Sequence, residues 1–127
     1  MVDNIRFLEG KTAFVTGASM NLGAVTARTL AEHGATVAIN YLGSEPEPVH
    51  LLEALRAAGH PAYAITGDLA VGGDARRVVD QALDALGGRI DILVNNAGPF
   101  NADPFAALAE SEWDRIMNVN LKAAYLM

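Results

Sequence analysis

The chain has 127 residues, 51% of them apolar, and a net charge of −6, which fits one folded domain with a sizeable core and argues against disorder. Its lysines are Lys11 and Lys122 and it carries no basic run, so no nucleic-acid or anionic-membrane partner is expected. The absence of cysteine removes disulfides, thiolate metal sites and cysteine nucleophiles together, while the lack of a long apolar run and of a signal pattern in Met1-Val2-Asp3-Asn4 points to a cytoplasmic protein.

Thr12 to Thr16 reads as a short apolar strand, and Leu22, Val25, Ala27, Leu30 and Ala31 then recur near helical spacing until Gly34. Thr36 to Tyr41 reads as a second strand. The loop from Leu42 to Pro48 leads into a helix carrying Val49, Leu52, Leu55 and Ala58, which Gly59 and Pro61 end. A third strand, Ala62 to Thr66, precedes a helix whose face is Ala75, Val78, Val79, Ala82, Leu83 and Leu86, stopped by Gly87-Gly88. Ile90 to Val94 reads as the fourth strand. A loop with Pro99 and Pro104 follows, then a long helix from about Ser111 with Trp113, Ile116, Met117, Leu121 and Ala124 on one side. Apolar strands alternating with helices over short connections predict an α/β, doubly wound parallel sheet with helices on both faces. No repeat, linker or composition shift divides the chain, so residues 1–127 read as one domain.

The segment from Phe14 to Gly23 is the most informative, because an apolar strand runs into a glycine-punctuated turn and then a helix. Such a turn presents backbone N–H groups and a helix N-terminus to a pyrophosphate. Gly17 is expected where the chain bends and Gly23 where the helix passes close to the sheet. Ser19 and Asn21 can add side-chain hydrogen bonds, and Asn21 reads equally as a helix N-cap that tolerates left-handed backbone. About 24 residues after Gly17, where an acid often holds the ribose 2′-hydroxyl in NAD-binding sheets, stands Asn40-Tyr41. No carboxylate there repels a 2′-phosphate, which favours NADP(H), although Leu42-Gly43-Ser44 supplies no cation to hold one. Asp68, in Gly67-Asp68-Leu69 at the end of the third strand, reads either as an acceptor for an adenine amino group or as a loop or helix cap. At the end of the fourth strand, Asn95-Asn96-Ala97-Gly98 combines side chains that can tie strand ends together with small residues that let backbone approach a ribose. Asn95 reads as structural, and Ala97-Gly98 as lining the cofactor.

In these residues the chain resembles the short-chain dehydrogenase/reductase family. Thr16 to Gly23 matches its T-G-x-x-x-G-x-G, Asp68 its adenine-site acid, Asn95 to Gly98 its N-N-A-G, and Asn118-Val119-Asn120 the segment holding its conserved asparagine. The resemblance implies a Rossmann-type oxidoreductase of strand order 3-2-1-4, moving hydride between a nicotinamide and a carbonyl or alcohol substrate. It assigns cofactor contact to Gly17, Ser19, Met20, Asn21, Leu22, Gly23, Tyr41, Asp68, Leu69 and Asn95 to Gly98. Asn120 takes a catalytic place, holding a water in the proton relay. NADP(H) is favoured over NAD(H), which the strand end also accommodates, and no metal is expected.

The chain departs from the family in two ways. Asn21 stands where the motif usually has its middle glycine, a feature shared with pteridine reductases, which favour NADPH and often have a tyrosine at the place of Tyr41. Beta-ketoacyl carrier-protein reductases and glucose dehydrogenases match Asn40-Tyr41 equally well. In addition, no tyrosine here has a lysine four positions later, so the family's acid–base pair lies outside the chain. The sequence therefore reads as the front half of a Rossmann domain, inactive alone, with its fourth strand at an open edge. The resemblance also implies a homodimer or homotetramer, with the helix starting near Ser111 as the contact.

His33, His50 and His60 read as helix-end or surface residues rather than ligands. Trp113 reads as core packing, and Glu110, Glu112 and Asp114 as a solvated first helical turn. Two rival readings keep the fold and drop the chemistry: a non-catalytic NAD(P)-binding module, and a structural domain that binds a partner through its sheet edge. Asn95 to Gly98 counts against a flavodoxin-like or methyltransferase sheet.

Overall fold

The computed structural model describes residues 5–44, 46 and 48–127. Met1 to Asn4, and Glu45 and Glu47 of the loop after the second strand, lie outside the described residues.

Four parallel strands, β1 (Thr12–Val15), β2 (Thr36–Tyr41), β3 (Ala62–Thr66) and β4 (Ile92–Val94), form one sheet in the order β3-β2-β1-β4. The central register places Phe14 beside Ala38 on one flank and Leu93 on the other. Side chains alternate across the sheet and feed two cores. Val15, Val37 and Ile39 pack with Ala27, Ala31, Leu52 and Leu55 beneath α1 (Asn21–Glu32) and α2 (Val49–Ala57). Phe14, Ala38 and Ile65 pack with Ala75, Val78, Ala82 and Ala123 beneath α3 (Gly72–Ala85) and α5 (Ala123–Leu126). Because both faces are covered, the central strands carry almost no polar residues, as a parallel sheet requires.

Several sequence-based expectations shift. On α1 the buried stripe is Gly23, Ala27 and Ala31, while Leu22 and Val25 are 70% and 60% exposed. Four-residue spacing of the smallest residues brings the helix close to the strands, and its larger side chains face outward. β4 begins at Ile92 rather than Ile90, because Asp91 takes over the pairing: its N–H donates to Thr12 O at 3.0 Å, and its Oδ2 accepts from Thr12 N at 2.9 Å. That backbone bond, together with Arg89, holds the Asp91 carboxyl below its ordinary pKa.

The helix expected from Ser111 is interrupted. α4 (Glu110–Met117) passes through a π-helical turn, Asn118–Lys122, into α5. A turn closed by i→i+5 bonds takes in an extra residue and shifts the helix phase, so Ala123 is buried and Leu121 and Ala124 are exposed. Trp113 is not a core residue either. It is 47% exposed and meets Phe105 of a 3-10 turn (Phe105–Ala107) edge-on, with ring centroids 6.5 Å apart. Among the described residues β4 pairs only with β1, and Leu93 packs into neither core.

Candidate cofactor site

The carboxyl ends of all four strands converge on one cavity of about 420 Å³. It opens between β1 and β4, where successive crossovers leave the sheet in opposite directions and ligands of doubly wound sheets collect. Its floor is the β1–α1 turn. Gly17 has φ +60°, and a Cβ there would stand 2.8 Å from Ala97 Cα. A Cβ on Gly23 would meet Gly17 O at 2.5 Å and Asn96 Nδ2 at 2.6 Å. Both positions therefore require glycine, the first for backbone conformation and space, the second for space alone.

Two buried polar residues lock this turn to the neighbouring strand ends. The Thr16 hydroxyl accepts from the N–H groups of Asn96 (3.1 Å) and Ala97 (3.0 Å) and donates to Val94 O at 3.4 Å. Asn96 Nδ2 donates to Thr16 O and Gly17 O at 3.1 and 2.9 Å. On the other flank Asn40, 2% exposed, accepts from Gly17 N at 3.3 Å and donates to Ile65 O and Gly67 O at 3.3 and 3.1 Å. One asparagine thus ties β1, β2 and β3 together at their carboxyl ends.

These contacts revise three sequence-based assignments. The strand-tying role given to Asn95 belongs to Asn96; Asn95 is exposed and outside the cavity lining. Tyr41 is half-buried and also outside the lining, whereas Asn40 and Leu42 border the cavity. A strand alternates its side chains, so neighbours at a strand end point to opposite faces. Asn21 is not the N-cap. Met20 holds that position with extended backbone (φ −154°) and no side-chain cap bond, and Asn21 is the first helical residue, with φ +51°. The first turn of α1 contains no carboxylate. The first turn of α1 itself thus supplies no anion to the helix start that faces the cavity.

Ser19, Met20, Asn21, Leu22 and Gly23 line the cavity, as do Asp68, Leu69, Asn96, Ala97 and Gly98. Asp68 forms a local turn, its Oδ1 accepting from Ala70 N at 2.9 Å, and its own N–H donates to Asp74 Oδ2 at 2.6 Å. That bond and Arg77 hold the Asp74 carboxyl below its ordinary pKa. Asn120 lies in the π-helical turn; its Nδ2 donates to Pro99 O and Ile116 O, both at 2.9 Å. A Cβ on Gly98 would come within 2.7 Å of Asn120 Oδ1, so the end of the β4 loop and the helix are fitted to each other. Arg115 and Val119, one turn and one residue before Asn120, also line the cavity. Sequence reasoning passed over Arg115, although its three-residue spacing from Glu112 on a helix was a usable signal of a paired guanidinium. Glu112 is no freely solvated carboxylate: it accepts from Arg115 and Asn101, and those bonds lower its pKa from 4.5 to about 2.

His33, with its ring near Ile5 O and Phe7, and His50, beside Glu53, stand apart from the cavity, as does His60. Among the described residues no cluster of three or more His, Asp or Glu side chains suits a metal ion, and no helix is long and apolar enough to cross a membrane.

Comparison with known proteins agrees with this geometry. The family model described as short chain dehydrogenase matches residues 11–127. An uncharacterized oxidoreductase of Methylorubrum extorquens is 40% identical over 119 residues, covering 94% of this chain and 48% of the relative. The 3-oxoacyl-acyl-carrier-protein reductase of Staphylococcus epidermidis is 36% identical over 115 residues, 91% of this chain and 47% of its own. A short chain dehydrogenase from Burkholderia cenocepacia, solved in complex with NADP, superposes with a TM-score of 0.88 at 41% identity, covering 94% of this chain and 48% of that one. The chain thus spans about half the length of the relatives it matches. Strand order, glycine turn and family match agree: the chain belongs to the short-chain dehydrogenase family.

Proposed function

We propose that the protein carrying this chain is an NAD(P)-dependent oxidoreductase, with these residues forming its dinucleotide cradle. The observation that carries the reading is the β1–α1 turn. Gly23 lets the helix start press against Gly17 O and Asn96, the first turn of α1 carries no carboxylate, and its N-cap residue Met20 makes no side-chain cap bond. Backbone N–H groups and the positive end of the helix dipole then favour a diphosphate at that place. Asp68 at the far wall suits the adenine amino group, and Ala97-Gly98 leaves room for a ribose beside β4.

When bound, the nicotinamide supplies or accepts the hydride. The chain's part is to hold, orient and shield: Thr16, Asn40 and Asn96 fix the turn from below, and Asn120, anchored through Pro99 O and Ile116 O beside the cavity lining, is assigned the water near the reacting end. The tyrosine and lysine of proton transfer come from outside residues 1–127. NADP(H) is favoured because, among the described residues, Asn40 and Leu42 and no carboxylate border the cavity at the end of β2, and the Burkholderia relative was solved with NADP. The substrate is a small carbonyl compound or alcohol, with reduction by NADPH the favoured direction. The protein acts in the cytoplasm as a homodimer or homotetramer, with the exposed Trp113, Leu121 and Tyr125 along α4 and α5 forming the subunit contact.

The test is titration of the complete protein with NADPH and NADH, followed by a carbonyl-reduction assay. Saturable binding with NADPH preferred, followed by turnover, is the expected result. Binding without turnover on any carbonyl would leave a non-catalytic module, and no saturable binding would end the reading.

A further inference from the structure

One sulfur atom lies on the wall of the cofactor cavity. The chain has no cysteine, and among the described residues Met20 is the one methionine that lines the cavity. It is 49% exposed, whereas Met117 and Met127 are half-buried and Met127 packs against the core beneath α3. Met20 is also the N-cap of α1, with extended backbone and no side-chain cap bond. The side chains favoured at an N-cap carry an oxygen that accepts from N–H groups of the first turn. A thioether is a weak acceptor, so the reduced side chain leaves those donors open. They are the donors that a diphosphate at this helix start would use.

Oxidation reverses that property. Hydrogen peroxide transfers one oxygen to Met20 Sδ: an S–O bond forms, the peroxide O–O bond breaks, the sulfur loses two electrons and the remaining oxygen leaves as water. The product is a polar side chain with a strong oxygen acceptor, carried at the position where helix caps hold theirs. It competes with the diphosphate for the first-turn N–H groups and turns the negative end of the S–O dipole toward the phosphate oxygens. We propose that Met20 is an oxidative modification site that closes the dinucleotide cavity when it becomes the sulfoxide, a regulation that rests on the dinucleotide reading above. The change is reversible, because a methionine sulfoxide reductase returns two electrons from a pair of thiols and the oxygen leaves as water. A bound dinucleotide covers the sulfur, so the empty protein is the form that oxidant closes.

The experiment uses the complete protein with its Met20→Leu and Met20→Gln variants. Each is titrated with NADPH by nicotinamide fluorescence before peroxide treatment and again after treatment and desalting, so each serves as its own reference. Peptide mass spectrometry maps the added oxygen, and circular dichroism verifies the fold. In the parent, the Met20 peptide should gain oxygen before those of Met117 and Met127, and saturating NADPH should slow that gain. Its NADPH dissociation constant should rise about tenfold, the size of one hydrogen bond to a charged group, and fall back on incubation with the reductase and a dithiol. Met20→Leu should show no change on treatment. Met20→Gln, which carries an oxygen on a chain of similar length, should bind more weakly than Met20→Leu without any peroxide. Oxidation of Met20 no faster than of Met117 and Met127, or complete sulfoxide at Met20 with unchanged NADPH affinity, would overturn the proposal. An equal loss in treated Met20→Leu would place the lesion elsewhere and overturn it as well. If the untreated parent binds no NADPH, the dinucleotide reading falls and the switch with it; binding that peroxide does not alter removes the switch alone.

Discussion

Gly23→Ala tests the cradle most directly. The added Cβ would lie 2.5 Å from Gly17 O and 2.8 Å from Ala18 Cα, about 0.9 and 0.6 Å inside the 3.4 Å at which ordinary van der Waals contact begins. Both are backbone atoms, so no flexible side-chain end can swing away. The third neighbour, Asn96 Nδ2, could move, but only by giving up its bonds to Thr16 O and Gly17 O. Overpacking of this kind costs about 1–3 kcal/mol and each lost hydrogen bond about 1 kcal/mol, so a loss of about 2–4 kcal/mol in unfolding free energy is expected. Relief by backing α1 away from the turn also withdraws the helix start from the diphosphate site, and 1.4 kcal/mol there is about tenfold in affinity. Gly73→Ala is the control. It lies in α3 with nothing within 4 Å of a Cβ, and Ala there should stabilise by about 0.4–1 kcal/mol. Urea unfolding and NADPH titration of both variants of the complete protein provide the readouts. A Gly23→Ala protein with the parent's midpoint and NADPH affinity would refute the argument that helix-to-turn contact builds the site.

Thr16→Val keeps the shape of a fully buried side chain but leaves the Ala97 N–H without its acceptor and the Asn96 N–H with Val94 O alone; a loss of about 2 kcal/mol is expected, with Thr16→Ser retaining most of the stability, as urea midpoints will show. The Glu112 carboxyl is depressed from 4.5 to about 2 by Arg115 and Asn101, so the stabilisation from its pairing is fully present above pH 4.5 and is lost as pH falls through about 2. Carbon-13 titration of that carboxyl should give the low midpoint in the parent and a higher one in Arg115→Ala; a parent midpoint near 4.5 would show that the pair does not form in solution. Leu93→Lys places a charge on the open edge strand, where Leu93 is 41% exposed. A polypeptide of residues 1–127 should self-associate less with this change and unfold within about 0.5 kcal/mol of its parent, and sedimentation that matches the parent's would clear the edge of blame.

The strand order, the two-sided core and the glycine turn were legible because each rests on a local rule: apolar runs for strands, 3.6-residue spacing for helices, glycine where backbones touch. What was not legible depends on phase and direction. The π-helical turn at Asn118–Lys122 leaves no mark in composition, yet it exchanges Ala124 for Ala123 in the core and exposes Leu121. Asn95 and Asn96 are chemically identical, and only the pleat at the end of β4 decides that Asn96 reaches back to Thr16 and Gly17. The same alternation turns Asn40 toward Gly17 and leaves Tyr41 off the cavity wall. Arg115 was passed over because its worth lies in a fork with Glu112, and an acidic first turn followed by an arginine reads as a solvated surface.

Asn21, the departure from the family's middle glycine, shows how far such local rules reach. A residue without glycine's freedom at that place endangers the turn only if the backbone must take up a positive φ. It does, at +51°, so the substitution falls where most side chains would strain the chain. Asparagine is among the few residues that enter the left-handed region readily, because its short polar side chain bonds locally there. The turn therefore keeps its shape. What changes is the cavity wall, where an amide now stands instead of a bare Cα. Backbone geometry and side-chain chemistry are thus separable at this position: a glycine at residue 21 would keep the turn and remove the amide, whereas an alanine would remove the amide and strain the turn as well.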